Sequence, residues 1–183
     1  SKLHTNVKED IYNKAAIAIS EDPNISNIAI AQLLSTLYPN DKEFKNSFAT
    51  KSISTKRGTK LVRYILFSIE NQLNNVDYDF EENPGTIEHI LPENGNEHYL
   101  NDFPQAIHES VVYRLGNYTL LEEAKNRECS NLPFVDKKQI FHTSQYEITK
   151  GISNPNWTPN SIDNRQEWLG NQASAVWRIS QLD

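Results

Sequence analysis

The stretch from residue 59 to residue 74 constrains the fold most. Leu61, Ile65, Leu66, Ile69 and Leu73 recur there at helical spacing, with Arg63, Glu70 and Gln72 off the stripe, which is the pattern of a helix burying one face. A loop ending in Asn83-Pro84-Gly85 stops it. Upstream the same period recurs. Val7, Ile11, Ala15, Ala18 and Ile19 form one helical stripe, and Ser26 caps a second run through Ile30, Leu33, Leu34 and Leu37 that Pro39 ends. Asn40, followed by Asp41 and Glu43, opens a third, with carboxylates in the first turn where the helix dipole favours them. Downstream the character changes. Thr86-Ile87-Glu88-His89-Ile90-Leu91, closed by Pro92, reads as a strand, and so does Tyr118-Thr119-Leu120-Leu121 after Leu115-Gly116-Asn117. A helix near 105–113 lies between them, and 122–128 has helix-forming composition directly after the second strand. Pro133 can stand at the first position of a further helix, and Thr158-Pro159 opens a last one carrying Trp168 and Trp177. The expected class is therefore α+β and predominantly helical: strand, loop, strand and helix embedded among other helices. Residues 1–75 form the helical N-terminal part and 76–183 the remainder of one compact unit.

The chain has 183 residues, 37% of them hydrophobic and 10% aromatic, enough for a core. No apolar run approaches the ~20 residues a membrane span needs, and no basic-then-apolar leader opens the chain. No membrane association is expected. A single cysteine, Cys129, excludes an internal disulfide and a four-cysteine zinc ribbon, and fits a reducing cytoplasm. The first residue is Ser1 and methionine is absent, as in a fragment of a longer polypeptide. The net charge of -6 argues against nucleic-acid binding through bulk positive charge, but the average hides a division. Residues 44–69 hold six basic side chains and no acid, whereas 76–113 hold nine acids and no Lys or Arg. Each run reads either as a solvated face or, together, as a phosphate-binding surface beside a metal-binding one.

Glu88-His89 places a carboxylate beside an imidazole near the end of a strand. Strand neighbours point to opposite faces, so both can serve one site only where the strand bends or ends, and Pro92 supplies such an ending. Asn117 lies in the turn before the second strand, and Asn126 lies nine residues later on the following helix. Histidine, turn asparagine and helix asparagine in this order make an HNH-type pattern. Thr86-Ile87-Glu88-His89-Ile90-Leu91-Pro92, Leu115-Gly116-Asn117-Tyr118-Thr119-Leu120-Leu121, Asn126 and Ser130-Asn131-Leu132-Pro133-Phe134 with Lys137 together resemble the C-terminal HNH domain of GmrSD-like restriction proteins. Arg63-Tyr64-Ile65-Leu66, Ile69-Glu70, Trp157, Arg165 and Trp177 extend the resemblance to about residues 57–180.

That resemblance implies a His-Me finger (HNH) fold, a ββα core within helices, and a bacterial, cytoplasmic defence nuclease that nicks double-stranded foreign DNA. It implies that His89 is the general base, as a group with an unperturbed pKa near ~6.5 can be. Asn126 with Glu88 would hold a divalent metal, Mg²⁺ or Mn²⁺, through oxygen donors that suit hard cations. Asn117 would brace the loop orienting His89. Related HNH motifs often carry Asp where this chain has Glu88, whose longer arm moves the ligand. A fused N-terminal nucleotide-binding, modification-sensing domain is implied as partner. Lys56, Arg57, Lys60 and Arg63, assisted by Arg127 or Lys137, are the expected contacts to DNA phosphates. His98, His108 and Cys129 match no zinc-ligand spacing, and Trp157, Trp168 and Trp177 read as core. A catalytically silent helical binding module that keeps the fold is the alternative.

Overall fold

The computed structural model describes residues 2–37, 39–94 and 97–177, apart from the side chains of 2–7 and 36. The described residues divide into two units, one comprising those up to Phe44 together with Trp177, and the other those of Lys45–Val176.

In the first unit, helix α1 (Lys2–Glu21) turns Ile11, Ala15 and Ala18 inward, with Ala15 buried. Ile19 is exposed, contrary to the stripe read from the sequence, and the Val7 side chain lies outside those described. Helix α2 (Asn27–Leu34) is capped as expected, the Ser26 hydroxyl accepting from the Ala29 amide at 3.1 Å. Helix α3 (Asp41–Ala49) begins at a reciprocal capping box, in which Asn40 Oδ1 accepts from the Glu43 amide and Glu43 Oε2 from the Asn40 amide.

The second unit is organised on helix α4 (Thr55–Asn74), which starts four residues before the sequence expectation. Gly58 (φ -122°, ψ 15°) breaks the helical geometry inside it, so a first turn precedes the regular run. The buried face centres on Val62, Leu66, Phe67 and Ile69, and Leu61 is exposed. Glu70, read as an outward residue, is fully buried. Its carboxylate accepts the amides of Glu147 (3.0 Å) and Ile148 (2.8 Å), the first residues of the short helix α8 (Glu147–Lys150). An anion at orphan helix N–H groups is well placed, and no apolar period could announce it.

Strands β1 (Thr86–His89) and β2 (Tyr118–Leu121) form an antiparallel pair with Glu88 opposite Thr119 and His89 opposite Tyr118. β1 is shorter than its apolar run suggests, because at Ile90 the chain leaves the ladder: the Ile90 amide bonds Asn117 O at 3.0 Å. Helix α5 (Gln105–Val111) lies between the strands in sequence, and α6 (Glu123–Cys129) follows β2 directly. Helices α7 (Phe134–His142) and α9 (Pro159–Val176) complete the unit, each starting within a residue of the proline that announced it. Trp177 lies just past α9 rather than on it. Two four-residue strands are too little to stand alone in water, and helices cover this sheet. Thr149 of α8 bonds Thr119 Oγ1 at 2.7 Å and the carbonyl of Leu120. The core joins Ile90, Leu91, Leu121, Phe103, Phe141 and Ile162, with Trp157 stacked on Phe134 at 5.3 Å. Among the described residues no helix is long and apolar enough to cross a membrane.

Gly116 is where the strand turn meets α9. A Cβ there would collide with the Ile162 carbonyl, and the Gly116 amide bonds Gln166 Oε1 at 3.1 Å. Gly116→Ala is therefore expected to cost about 2 kcal/mol or more in urea denaturation. Gly151→Ala, whose new methyl would sit 3.4 Å from the Glu147 carbonyl at an ordinary helical φ, is expected to change stability by less than about 1 kcal/mol.

Candidate active site at the end of β1

The turn before β2 is built on one side chain. Asn117 is fully buried and its amide bonds at both ends. Oδ1 accepts from the Leu91 amide (2.8 Å) and from Trp157 Nε1 (3.1 Å), while Nδ2 donates to the carbonyls of Leu91 (2.9 Å) and Val112 (3.0 Å). With all its polar atoms occupied by protein, Asn117 fixes the two residues that follow His89 and touches no solvent.

His89 ends β1 with its ring edge-on to Tyr118 (4.8 Å between centroids) and Tyr113 (6.3 Å). Its Nε2 is buried and has no hydrogen-bond partner among the described residues. Such an orphan calls for an explanation, and a catalytic role is one of few. Burial pushes the imidazole pKa down to about 4, opposed by the charge of Glu93 and assisted by that of Lys137. The ring is neutral at pH 7.

Glu88, the neighbour, points into the protein. It is 5% exposed, and Lys137, wholly buried, sets its ammonium 2.6 Å from Glu88 Oε1 and 2.9 Å from the His89 carbonyl. Burial raises the Glu88 pKa to about 7, against the opposing pull of Lys137. Lys137, expected from the sequence at a DNA phosphate, is therefore corrected to a core residue that anchors the end of β1. The Lys137 ammonium engages Glu88 through Oε1, so a cation held by Glu88 would sit beside an existing positive charge.

An open cleft of about 320 Å³ lies beside His89, lined also by Glu88, Glu93, Asn94, Asn126, Ser130 and Asn131. Asn126, on α6, donates Nδ2 to Thr86 Oγ1 (2.8 Å) and to the Ile87 carbonyl (3.0 Å). This fastens the helix across β1 and leaves Oδ1 with no protein donor among the described residues. Of the two expected ligands, Asn126 thus keeps a free oxygen at the cleft, and Glu88, which also lines it, has Oε1 taken by Lys137. No group of three His, Cys, Asp or Glu side chains able to hold a metal occurs among the described residues. Ser130 holds the cleft edge at φ 35°, a conformation unfavourable for a side-chain-bearing residue.

Glu93 carries a role that the sequence did not single out. It accepts from the Tyr113 hydroxyl, pairs with Lys56 at 3.1 Å and acts electrostatically on His89. Tyr113 holds its carboxyl below the usual range, Lys56 adding to the effect. The partners come from separate stretches of chain, so only the fold assembles them. Lys60 likewise pairs with Glu81. Arg63 is committed inward, donating to the carbonyls of Phe80 (2.9 Å), Asn83 (2.8 Å) and Gly85, and its reading as a phosphate contact is corrected accordingly. The basic and acidic runs thus face each other. Lys56 and Lys60 still keep most of their side chains in solvent, Arg57 is exposed, and exposed Arg127 pairs loosely with Glu123 at 3.5 Å. His108 Nε2 faces the Pro92 carbonyl at 2.9 Å and Cys129 is buried in the core, so neither is directed at His89's cleft.

The family model described as the C-terminal domain of GmrSD restriction endonucleases matches residues 38–172. No curated protein matches the chain.

Removing one partner of a buried ion pair strands the other, so Lys137→Met is expected to cost about 3–5 kcal/mol by chemical denaturation. Glu88→Gln with Lys137→Met should restore most of that loss. A second outcome concerns acid. The folded His89 ring, with a pKa of about 4, binds a proton less readily than an unfolded histidine near ~6.5. Its contribution to stability is therefore complete above pH ~6.5 and is lost as pH falls towards 4, by up to roughly 3 kcal/mol. Glu88, with its pKa raised to about 7, has the opposite sign. Its contribution is full below ~4.5 and is lost as pH rises through 7. Melting of wild type against His89→Gln between pH 4 and 7, in chelator, isolates the histidine: the mutant should lose less stability on acidification.

Proposed function

We propose that this chain, which belongs to the family of GmrSD restriction endonuclease C-terminal domains, is an HNH-type (His-Me finger) nuclease domain that hydrolyses one strand of duplex DNA at the cleft beside His89. The observation that carries the reading is His89 Nε2: a buried, unpartnered nitrogen on a neutral ring beside an open cleft. β1, β2 and α6 would serve as the two strands and crossing helix of such a site, a reading supported by Asn126 joining helix to strand.

In this reading His89 takes a proton from the attacking water as the oxygen bonds to phosphorus, and the O3′ oxygen leaves with the other strand end. A general base must be unprotonated at working pH and within reach of the water, and the low pKa meets the first requirement. Asn117 and Lys137 act through the backbone, holding Leu91 and the His89 carbonyl so that the ring direction is fixed before substrate arrives. A divalent cation, Mg²⁺ or Mn²⁺, would be held by Asn126 Oδ1 and would supply charge neutralisation on the phosphate. Lys56, Arg57 and Lys60 would meet flanking phosphates, which requires Lys56 and Lys60 to share themselves with Glu93 and Glu81. Double-stranded DNA is the proposed partner, with a nucleotide-binding, modification-sensing domain ahead of this one. The alternative, a silent scaffold, draws on Glu88 being held by Lys137, and the same assay decides between them.

His89→Ala is expected to lower plasmid nicking at least ~100-fold, the usual contribution of a general base, with an unchanged circular-dichroism spectrum. Asn126→Ala should lose both nicking and any rise in melting temperature that Mn²⁺ gives the wild type. Undiminished cleavage by a folded His89→Ala protein would sink the assignment.

A further inference from the structure

Among the described residues of the second unit, Arg165 is the one buried cation that the site at His89 leaves unexplained. It projects from α9 and is 7% exposed. Nη2 donates to the carbonyls of Tyr118 (3.0 Å) and Ile148 (3.3 Å), while Nε is buried without any partner among the described residues. The guanidinium lies 5.9 Å from the Trp168 ring centroid. Arg114 and Arg127, by contrast, each face a carboxylate.

Beside it is a cavity of about 210 Å³ walled by Ile148, Gly151, Ile152, Asn154, Asn164 and Trp168, with no acidic side chain. Burial lowers the Arg165 pKa to about 9, so it is still a cation at pH 7. A buried charge without a counter-ion is costly, and so is an orphaned donor. If Arg165 only crossed from α9 to two carbonyls, a neutral donor would do that at smaller cost. A cation retained against an acid-free cavity is accounted for by an anion that enters it.

We propose that this cavity is a phosphate-binding site, with Arg165 as the charged partner and the Asn154 and Asn164 amides as neutral hydrogen-bonding groups around it. With Nη2 committed to the carbonyls of Tyr118 and Ile148, Arg165 meets the phosphate through its charge and its remaining N–H groups. The cavity volume admits a phosphate together with part of its ester substituent, and Trp168, 38% exposed, forms an apolar wall for that substituent. The site is independent of the nuclease reading. Its phosphate comes either from a free phosphate or mononucleotide, or from a DNA backbone.

The test uses the whole chain. Inorganic phosphate and a deoxymononucleotide are titrated while melting temperature is followed, with chloride matching the ionic strength. A duplex oligonucleotide is then titrated by fluorescence anisotropy. Asn164→Asp and Asn154→Asp place a carboxylate in the cavity without touching the Arg165 contacts to the backbone. Wild type is expected to gain melting temperature saturably with phosphate. The aspartate variants are expected to melt no lower than wild type without ligand, since the new carboxylate serves as counter-ion, and to lose at least tenfold in phosphate affinity. A wild-type shift no larger than chloride gives, or equal phosphate titrations in wild type and both variants, overturns the proposal. Duplex affinity falling in parallel with phosphate affinity identifies the DNA backbone as the source. Unchanged duplex affinity with phosphate binding lost identifies the free ligand. Nicking activity is read separately, so failure of the His89 assignment leaves this result standing.

Discussion

A sheet of two four-residue strands cannot hold itself, and the side chain that holds this one is Asn117. One amide spans the residues after β1, the carbonyl of Val112 and the indole of Trp157. It thereby ties the end of one strand to the start of the other and both to the C-terminal part of the unit. A serine or aspartate could not do this, because the position needs two donors and an acceptor in one plane. Because Leu91 is pinned, the chain leaves the ladder at Ile90, and His89 becomes the last residue of a strand rather than its middle. That ending lets a histidine whose neighbour is buried face a cleft.

The second unit buries several charged side chains that tie its elements together. Glu70 caps α8, Lys137 and Glu88 lock the floor of β1, and Arg165 reaches two carbonyls from α9. Gln166, beside Arg165, bonds the Gly116 amide and the carbonyls of Phe48 and Lys51. Each group links elements far apart in sequence. Such polar ties are costly unless complete, but complete ones fix a single arrangement. A small sheet wrapped by helices gains from this, since apolar contacts alone would tolerate sliding. At the surface Lys56 and Lys60 pair with Glu93 and Glu81 while keeping most of their side chains in solvent, and Arg57 is exposed, so the basic run offsets part of the acidic one.

His89 and Glu88, neighbours in sequence, have different surroundings. The first is a neutral ring with a buried, unpartnered nitrogen beside the cleft, while the second is paired with Lys137. Asn126 keeps an oxygen free at the cleft, and Glu93, held by Tyr113 and Lys56, is the carboxylate nearest in influence to the histidine. The proposed chemistry therefore rests on a histidine set by burial and a brace set by an asparagine.

The sequence alone determined the class, the helices with clear caps and the paired strands, because apolar period, Ser26, Asn40 and the prolines act within a few residues. It also placed His89, Asn117 and Asn126 in order, and the match over residues 38–172 agrees with the resemblance those motifs carried. It misread the outward or inward sense of polar residues. Arg63, Glu70 and Lys137 look like solvated charges on amphipathic helices, and Trp168 looks like core. Whether a charge is buried depends on what stands opposite it, and for Glu70 and Lys137 the partner lies more than forty residues away. The same holds for Glu93, which joins the site only when 56, 93 and 113 meet. Local pattern fixes which segments form helices and strands; only tertiary packing decides which charges find partners, and hence the pKa of His89 and the orphaned nitrogens of His89 and Arg165.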